Sequence, residues 1–221
     1  EKNNELKAEG AAPIQEDEFF GARLYTGPCF MKYNAVLRGV HPSSAPKLRE
    51  QFLSLTWGNT YTTTIHVLNS AILKLSKLTV AQPVYRGVSG ATLPRELWTP
   101  NRHNVRGGVE SAFLSASIDR AVALQYAGGG RACGLCLELR QGLVDRGCEM
   151  SWLSQYPAES EIVFPPLTSI EVLRTRAEDA TLVVEARLTL NFSNEPIEQV
   201  LAKMQSYIHT YIHTYIHTYI H

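Results

Sequence analysis

The amino-acid sequence predicts an α+β fold, with helices in the first half of the domain and mostly strands in the second. Apolar residues between positions 30 and 75 recur every three or four residues, which is the period of an amphipathic helix. From position 84 onwards, short apolar runs are separated by glycine, proline and polar residues, as is typical of strands. Because the helices precede the strands and do not alternate with them, this order favours α+β over repeated βαβ units.

Two helices are predicted in the first half. Phe30, Tyr33 and Leu37 share one helix face, and Gly39 ends that helix. Pro83 closes the helical region, because a proline disfavours the α conformation of the residue before it. The second helix is indicated by apolar residues at alternating spacings of four and three: Tyr61, Ile65, Leu68, Ile72 and Leu75.

Six strands and one helix are predicted in the second half. The helix runs from residue 118 to residue 127, with Ser117 as its N-cap, Asp119 in its first turn and the glycines at 128–130 after its end. The strands are residues 84–86, 112–115, 134–139, 161–164, 170–173 and 182–190.

Composition and charge are those of an ordinary globular domain. The chain has 221 residues, enough for one domain with a complete core, of which 44% are hydrophobic and 19% charged. Basic and acidic residues number 21 each, so no basic excess favours a nucleic-acid partner. No apolar run reaches the length of a membrane-spanning helix. We therefore expect neither a nucleic acid nor a membrane as partner, and we expect a monomer.

The chain divides into three parts. Residues 1–18 are polar and acidic and are interpreted as a linker or arm, whereas residues 19–193 have the apolar density of a folded domain. Residues 194–221 are interpreted as a C-terminal tail, in which residues 207–221 repeat Tyr-Ile-His-Thr, as a tandem ACAT tetranucleotide would encode. The four tail histidines lack carboxylate or thiolate partners, so no metal site is predicted there.

The cysteines are too few for a disulfide-built scaffold of this length, so a reduced, cytoplasmic protein is expected. The chain begins at Glu1, which indicates a fragment or a processed chain, and a secreted protein whose leader was removed stays open. Cys133 and Cys136 form a C-x-x-C motif, but no second pair with similar spacing completes the four ligands of a zinc site. The remaining cysteines are Cys29 and Cys148.

The first candidate functional motif is the run Val84-Tyr85-Arg86-Gly87-Val88. An arginine at a strand end suits a fork that grips a phosphate, and a neighbouring glycine lets backbone approach the ligand. Taken alone, such an arginine is more often part of a surface ion pair.

The second candidate motif is Phe113-Leu114-Ser115-Ala116-Ser117, where an apolar run becomes hydroxylic just before a helix. Ser115 and Ser117 fall on one face if the strand continues. The alternative is a strand end followed by an N-cap serine. That interpretation is the better one for Ser117 and leaves Ser115 to orient a neighbouring group.

The third candidate motif is Glu159-Ser160-Glu161, which leads into the apolar run Ile162-Val163-Phe164. Two carboxylates at i and i+2 of a strand project to the same side. Two negative charges at such a short distance raise the pKa of one carboxyl group or require a cationic partner, as happens at functional sites. A polar loop entering a buried strand is an equally good interpretation of the spacing alone.

Taken together, the three motifs resemble the R-S-E group of arginine-specific mono-ADP-ribosyltransferases. The resemblance runs from about Leu24 to Leu173, and it also covers Tyr33-Asn34 and Leu37-Arg38. Each motif is short, but their order, spacing and strand context form a specific set. One departure is Ala116, where the family usually has threonine. The resemblance implies a split, mostly antiparallel β core with N-terminal helices, and it makes residues 19–193 the catalytic domain.

The resemblance also implies where NAD would bind. Arg86 would hold the NAD phosphates, and the Gly87 backbone would lie near the nicotinamide end. Ser115 would orient the catalytic glutamate and the nicotinamide ribose, while Ser117 would support the strand. Glu161 would bind the ribose 2′-hydroxyl and stabilise the oxocarbenium-like transition state, as a fixed anion does in glycoside cleavage. NAD would be the substrate, and no metal would be required.

In the family, a glutamate two residues before the catalytic one marks specificity for arginine. Glu159 would therefore engage and activate the guanidinium of an arginine-bearing protein. Residues 151–158 would form the loop that meets this acceptor, with Trp152 and Tyr156 exposed for contact. Three alternatives stay open: hydrolysis of NAD with water as the acceptor, a non-catalytic relative that binds NAD or a protein, and modification of a small guanidine or a nucleic acid.

Overall fold

The computed structural model describes residues 1–42, 44–89, 95–101, 104–128 and 134–190. The helices are α1 (Lys2–Ala8), α2 (Glu16–Leu24), α3 (Phe30–Gly39), α4 (Pro46–Thr56), α5 (Thr62–Leu75), α6 (Arg95–Trp98) and α7 (Arg120–Tyr126). The strands are β1 (Val84–Ser89), β2 (Gly107–Glu110), β3 (Leu114–Ser117), β4 (Gly134–Arg140), β5 (Cys148–Glu149), β6 (Glu161–Phe164), β7 (Thr168–Glu178) and β8 (Thr181–Thr189). No helix in these ranges is long and apolar enough to cross a membrane.

The strands form one eight-stranded sheet in the order β2-β7-β8-β4-β1-β3-β6-β5. Only β4 and β8 pair in parallel among the described strand pairs, and the other pairs are antiparallel. Strands β1 and β3 meet at a single pair of residues, Tyr85 and Ser117, whereas β1 pairs with β4 along its whole length. The sheet is therefore split between β1 and β3, and the two halves diverge on either side of that pair.

Two large apolar clusters hold these layers together. One lies between the N-terminal helices and the short half of the sheet, and its fully buried members include Leu6, Leu68, Ile72, Phe113 and Met150. The other lies on the sheet itself and includes Val84, Leu114, Leu139, Phe164 and Val184. The N-terminal helices thus pack against β5, β6 and Phe113, which precedes β3, and they cover one side of the split.

The predicted α+β class is confirmed, and most predicted elements are present. Helices α3 and α5 match the predicted runs to within one residue at their starts, and β6 has the predicted bounds. The helix predicted at 118–127 is shorter, because Asp119 and not Ser117 is its N-cap: the Asp119 side chain accepts a hydrogen bond from the Ala121 backbone N–H. The strand predicted at 112–115 begins at Leu114 and runs to Ser117.

The interpretation of residues 1–18 as a linker or arm is corrected by the structure. This segment contains helix α1 and the start of α2, and the Leu6 side chain is fully buried in the helical cluster. The Asn3 side chain also pairs with the backbone of Ile14 through two hydrogen bonds. The polar composition of this segment did not indicate a packed helix, because a single apolar side chain, that of Leu6, anchors α1. Cys133, Gly129, Gly130 and the predicted tail lie outside the described residues.

A buried ion pair joins α2 to α5. The Lys74 ammonium lies 2.7 Å from a Glu18 carboxylate oxygen, and both side chains are almost completely buried. The other Glu18 oxygen accepts a hydrogen bond of 2.5 Å from the Ser70 hydroxyl. Because both oxygens of this buried carboxylate are occupied, its desolvation is compensated as long as its partners stay in place.

The Lys74→Met variant should lower the free energy of unfolding by about 3–5 kcal/mol, because it leaves the Glu18 carboxylate buried without its cation. Urea unfolding followed by circular dichroism measures this change. The control is Lys2→Met, which breaks the exposed Lys2–Glu5 pair and should change the free energy of unfolding by less than about 1 kcal/mol. Equal losses of unfolding free energy in the two variants would show that the buried Glu18–Lys74 pair stabilises the fold no more than the exposed Lys2–Glu5 pair does.

Candidate active site

A cavity of about 500 Å³ lies at the split in the sheet. Strands β1, β3 and β6 form its floor, the segment joining α2 to α3 forms one wall, and α7 forms another. This volume is within the range of small-molecule sites. The cavity brings together the sequence-predicted residues Arg86, Gly87, Ser115, Ser117, Glu159 and Glu161.

Arg86 lies on β1 beside the split. Its Nη1 donates a hydrogen bond of 2.6 Å to the carbonyl oxygen of Ser115 on β3, and so bridges the two halves of the sheet. Burial lowers the pKa of Arg86, while electrostatic interactions with Tyr25 and with the Glu110 carboxylate oppose that shift. A guanidinium nevertheless stays charged in proteins, so the cavity contains a fixed, partly desolvated cation.

Ser115 and Glu161 lie on the neighbouring strands β3 and β6, where their register partners are Val163 and Ser117, and their side chains meet diagonally. The Ser115 Oγ donates a hydrogen bond of 2.6 Å to Oε1 of Glu161. Burial raises the pKa of Glu161; the Ser115 hydrogen bond lowers it, the charge of Glu159 raises it, and Arg86 lowers it. Glu161 is thus a partly desolvated carboxylate whose direction in the cavity is set by the serine.

Glu159 reaches the same cavity by a route that the sequence did not predict. It does not extend β6 but ends a 3₁₀ turn, Pro157–Glu159, and Ser160 then adopts a left-handed conformation with φ of 47° before the strand begins. The Ser117 Oγ donates to the Glu159 carbonyl oxygen at 2.7 Å and fixes this turn. The two carboxylates therefore converge through a turn, and the expected alternation along one strand is wrong.

Gly87 is required by the packing of α7. A Cβ at this position would lie 1.7 Å from the Ala123 carbonyl oxygen and 2.7 Å from the Ala127 nitrogen. Because both atoms belong to the helix backbone, they cannot move aside cheaply, and α7 could not pack so closely on any other residue. Gly87 also lines the cavity, next to Arg86.

The cavity residues that were not assigned a role from the sequence include Tyr25, Asn34 and Tyr126. Burial, followed by the charge of Glu161, raises the pKa of Tyr25 above its usual range, so its phenol stays neutral. Asn34 donates to the Tyr25 hydroxyl at 3.5 Å and accepts from the Phe113 backbone N–H at 3.2 Å. A polar asparagine inside the apolar α3 pattern was the signal for this contact.

The loop before Glu159 is attached to α2. Arg23 donates to the carbonyl oxygens of Leu153 and Ser154, the latter at 2.8 Å, and the Gln155 N–H donates to Thr26 at 3.1 Å. In this loop the Trp152 and Tyr156 side chains are 41% and 56% exposed. The exposure predicted for the two aromatic side chains is therefore present; Tyr156 lines the cavity, whereas Trp152 lies outside it, next to Phe19 of α2.

Among the residues that the structure describes, no group of three or more His, Cys, Asp or Glu side chains could hold a metal ion. Cys136 and Cys148 are buried, and burial raises the pKa of both thiols. A thiol with a raised pKa is a poor nucleophile and a poor metal ligand. The polar groups of the cavity are a guanidinium, hydroxyls and two carboxylates, which suit an organic, phosphate-bearing ligand.

The model of one protein family, described as NAD:arginine ADP-ribosyltransferase, matches residues 15–191. No curated protein matches the chain. Among solved structures, the ADP-ribosyltransferase HopU1 of Pseudomonas syringae pv. tomato DC3000 has 21% sequence identity and a TM-score of 0.57, over 78% of this chain and 76% of that one.

Two further solved structures share the fold. Vis from Vibrio splendidus, in complex with agmatine, has 19% identity and a TM-score of 0.57, over 88% of this chain and 84% of that one. Exoenzyme S from Pseudomonas aeruginosa, in complex with human 14-3-3 protein beta and bound to carba-NAD, has 18% identity and a TM-score of 0.56 with the same coverage. At these identities the likeness shows the fold alone.

The buried charge of Glu161 leads to a stability prediction. Because burial raises the pKa of Glu161 in the folded protein above its ordinary value of 4.5, the ionised form opposes folding above the folded pKa, and this effect vanishes below the unfolded pKa. Glu161→Gln removes the charge but keeps an oxygen for Ser115. We expect a higher Tm at about pH 7.5, with the gain disappearing towards about pH 4.

Differential scanning calorimetry across that pH range provides the measurement. The control is Glu9→Gln, which removes an exposed carboxylate at the end of α1 and should leave Tm almost unchanged. A lower Tm for Glu161→Gln near neutral pH would mean that the glutamate charge stabilises the fold.

Proposed function

Because the chain belongs to the NAD:arginine ADP-ribosyltransferase family, we propose that it transfers one ADP-ribose from NAD to an arginine side chain of a protein and releases nicotinamide. The observation that carries this proposal is the convergence of Glu159 and Glu161 in one cavity with Arg86 and Ser115. Two carboxylates with different surroundings can take different roles: one acts on the sugar and the other on the acceptor.

The cavity residues fit NAD, which the family uses as its substrate. The planar Arg86 guanidinium has five N–H donors, of which Nη1 already contacts the Ser115 carbonyl. Its remaining donors suit the oxygens of a diphosphate, which such a fork binds more specifically than a lysine can. The exposed Phe30 and Met31 side chains at the rim add apolar surface for the rings of a dinucleotide.

Glu161 is the proposed electrostatic catalyst. When the bond between ribose C1′ and nicotinamide breaks, nicotinamide leaves with the bonding electrons and positive charge develops on the sugar. A carboxylate fixed by Ser115 in a partly desolvated cavity stabilises that charge without reorganising. Ser115 therefore acts by orienting Glu161, and Ser117 by holding the turn that carries Glu159.

Glu159 is the proposed acceptor residue. A guanidinium is protonated at neutral pH and is a poor nucleophile until it is positioned and loses a proton. Glu159 offers a carboxylate near the cavity mouth, which can bind two guanidinium N–H groups and accept the proton as the new C1′–N bond forms. Tyr156 at the cavity and the exposed Trp152 of the same loop are proposed to contact the protein that carries the arginine.

Hydrolysis of NAD is the second candidate function, because the Arg86–Ser115–Glu161 set is already assembled without an acceptor. Water can then take the position of the guanidinium. A non-catalytic relative is less well supported, since such a protein would have no need to keep a desolvated carboxylate pointing into the cavity.

The first functional prediction concerns the Glu161 charge. Glu161→Gln should reduce both ADP-ribosyl transfer and NAD hydrolysis by ~10² or more, which is the scale for one preorganised electrostatic group. Nicotinamide release and the ADP-ribosylated product, quantified by mass spectrometry, provide the two readouts. Glu171→Gln on β7, outside the cavity, should retain both activities. Normal nicotinamide release from a folded Glu161→Gln variant would exclude this role.

The second functional prediction separates acceptor choice from NAD cleavage. Glu159→Gln should abolish transfer to arginine or agmatine and retain much of the NAD hydrolysis, because water needs no carboxylate that binds two N–H groups. The assay compares free ADP-ribose with the ADP-ribosylated guanidine. If both products fall together, Glu159 supports Glu161 and does not select the acceptor. If arginine transfer survives unchanged, the arginine-specific proposal is wrong.

A further inference from the structure

Tyr126, the last residue of α7, contacts the proposed acceptor carboxylate. Its hydroxyl donates a hydrogen bond of 2.7 Å to Oε1 of Glu159, and both side chains line the cavity. The Tyr126 side chain is 59% exposed, whereas Ala123 one turn earlier is buried against the sheet. Tyr126 is therefore not a core residue, and its hydroxyl contacts the site through the hydrogen bond to the Glu159 carboxylate.

The backbone fixes where this hydroxyl lies. Helix α7 packs directly on Gly87 of β1, with no room for even a Cβ between them. At the other end of α7, the Asp119 N–H donates to the Ser117 Oγ at 3.0 Å, and the same Oγ donates to the Glu159 carbonyl. Ser117 thus joins the start of α7 to the Glu159 turn, and Tyr126 joins its end to the Glu159 side chain.

Glu159 is held at two points as a result, its carbonyl by Ser117 and its carboxylate by Tyr126. A carboxylate has about four acceptor positions, and the tyrosine uses one of them on Oε1. The others suffice for two parallel N–H groups of a guanidinium. One hydroxyl can therefore fix the rotation of the carboxylate without blocking an acceptor.

We propose that Tyr126 is a positioning residue that orients the Glu159 carboxylate for a guanidinium acceptor, and so favours transfer over hydrolysis. This inference rests on the proposed function. Water needs no bidentate partner, so loss of the hydroxyl affects transfer and not NAD cleavage. The Glu159 hydrogen bond raises the pKa of Tyr126, so the phenol remains a donor throughout the neutral range.

The test uses Tyr126→Phe in the full-length protein, with NAD and agmatine as a soluble guanidine acceptor. We expect kcat/KM for agmatine to fall about tenfold, mainly through a higher KM for agmatine, because a hydrogen bond to a charged group is lost. The KM for NAD and the rate of NAD hydrolysis should stay within about twofold of wild type. The control is Tyr61→Phe, which removes a phenol hydroxyl in the helical layer, outside the cavity.

The outcomes separate this inference from the proposed function. A loss confined to the agmatine parameters supports the positioning role. Equal losses in transfer, hydrolysis and NAD affinity mean that the hydroxyl only supports the cleft, and unchanged agmatine kinetics mean that the hydrogen bond is incidental; either result overturns the inference alone. A wild-type protein that hydrolyses NAD but modifies no guanidine overturns the proposed function, and this inference with it.

Discussion

The site depends on one constraint. The Glu161 carboxylate is held in a partly desolvated position, and it must carry its charge there in order to act. Its desolvation raises its pKa and is offset only in part by the short hydrogen bond from Ser115 and by the cation of Arg86. Arg86 in turn is held by the Ser115 carbonyl, so a single residue of β3 orients both charges. The arrangement exists because β1, β3 and β6 are neighbours in the sheet.

The split between β1 and β3 makes room for this arrangement. A continuous ladder there would fill the position of the cavity with backbone hydrogen bonds, whereas one residue pair keeps the halves together and leaves a concave surface. Contacts elsewhere compensate for the backbone hydrogen bonds that β1 and β3 do not form with each other. Long pairing along β4, β7 and β8 supports one half, and the helical cluster with its Glu18–Lys74 pair supports the other.

Glu159 is controlled by different elements from those that control Glu161. The Ser115 side chain orients Glu161 across the β3–β6 ladder, while Ser117 and α7 hold the turn and side chain of Glu159. This separation explains how two carboxylates two residues apart can take different roles. The close packing of α7 on Gly87 connects the two sets, since it joins the strand of Arg86 to the helix of Tyr126.

The sequence by itself determined the α+β class, the main helices and strands, and the set of Arg86, Ser115 and Glu161, because those features reside in local periodicity and short motifs. Helix α1 was not predicted, because its place depends on a single buried leucine that composition cannot reveal. Only the tertiary structure placed Glu159 at the end of a 3₁₀ turn, before the left-handed Ser160, and Tyr126 against it. Those contacts join residues 33 positions apart, and no local spacing encodes such a distance.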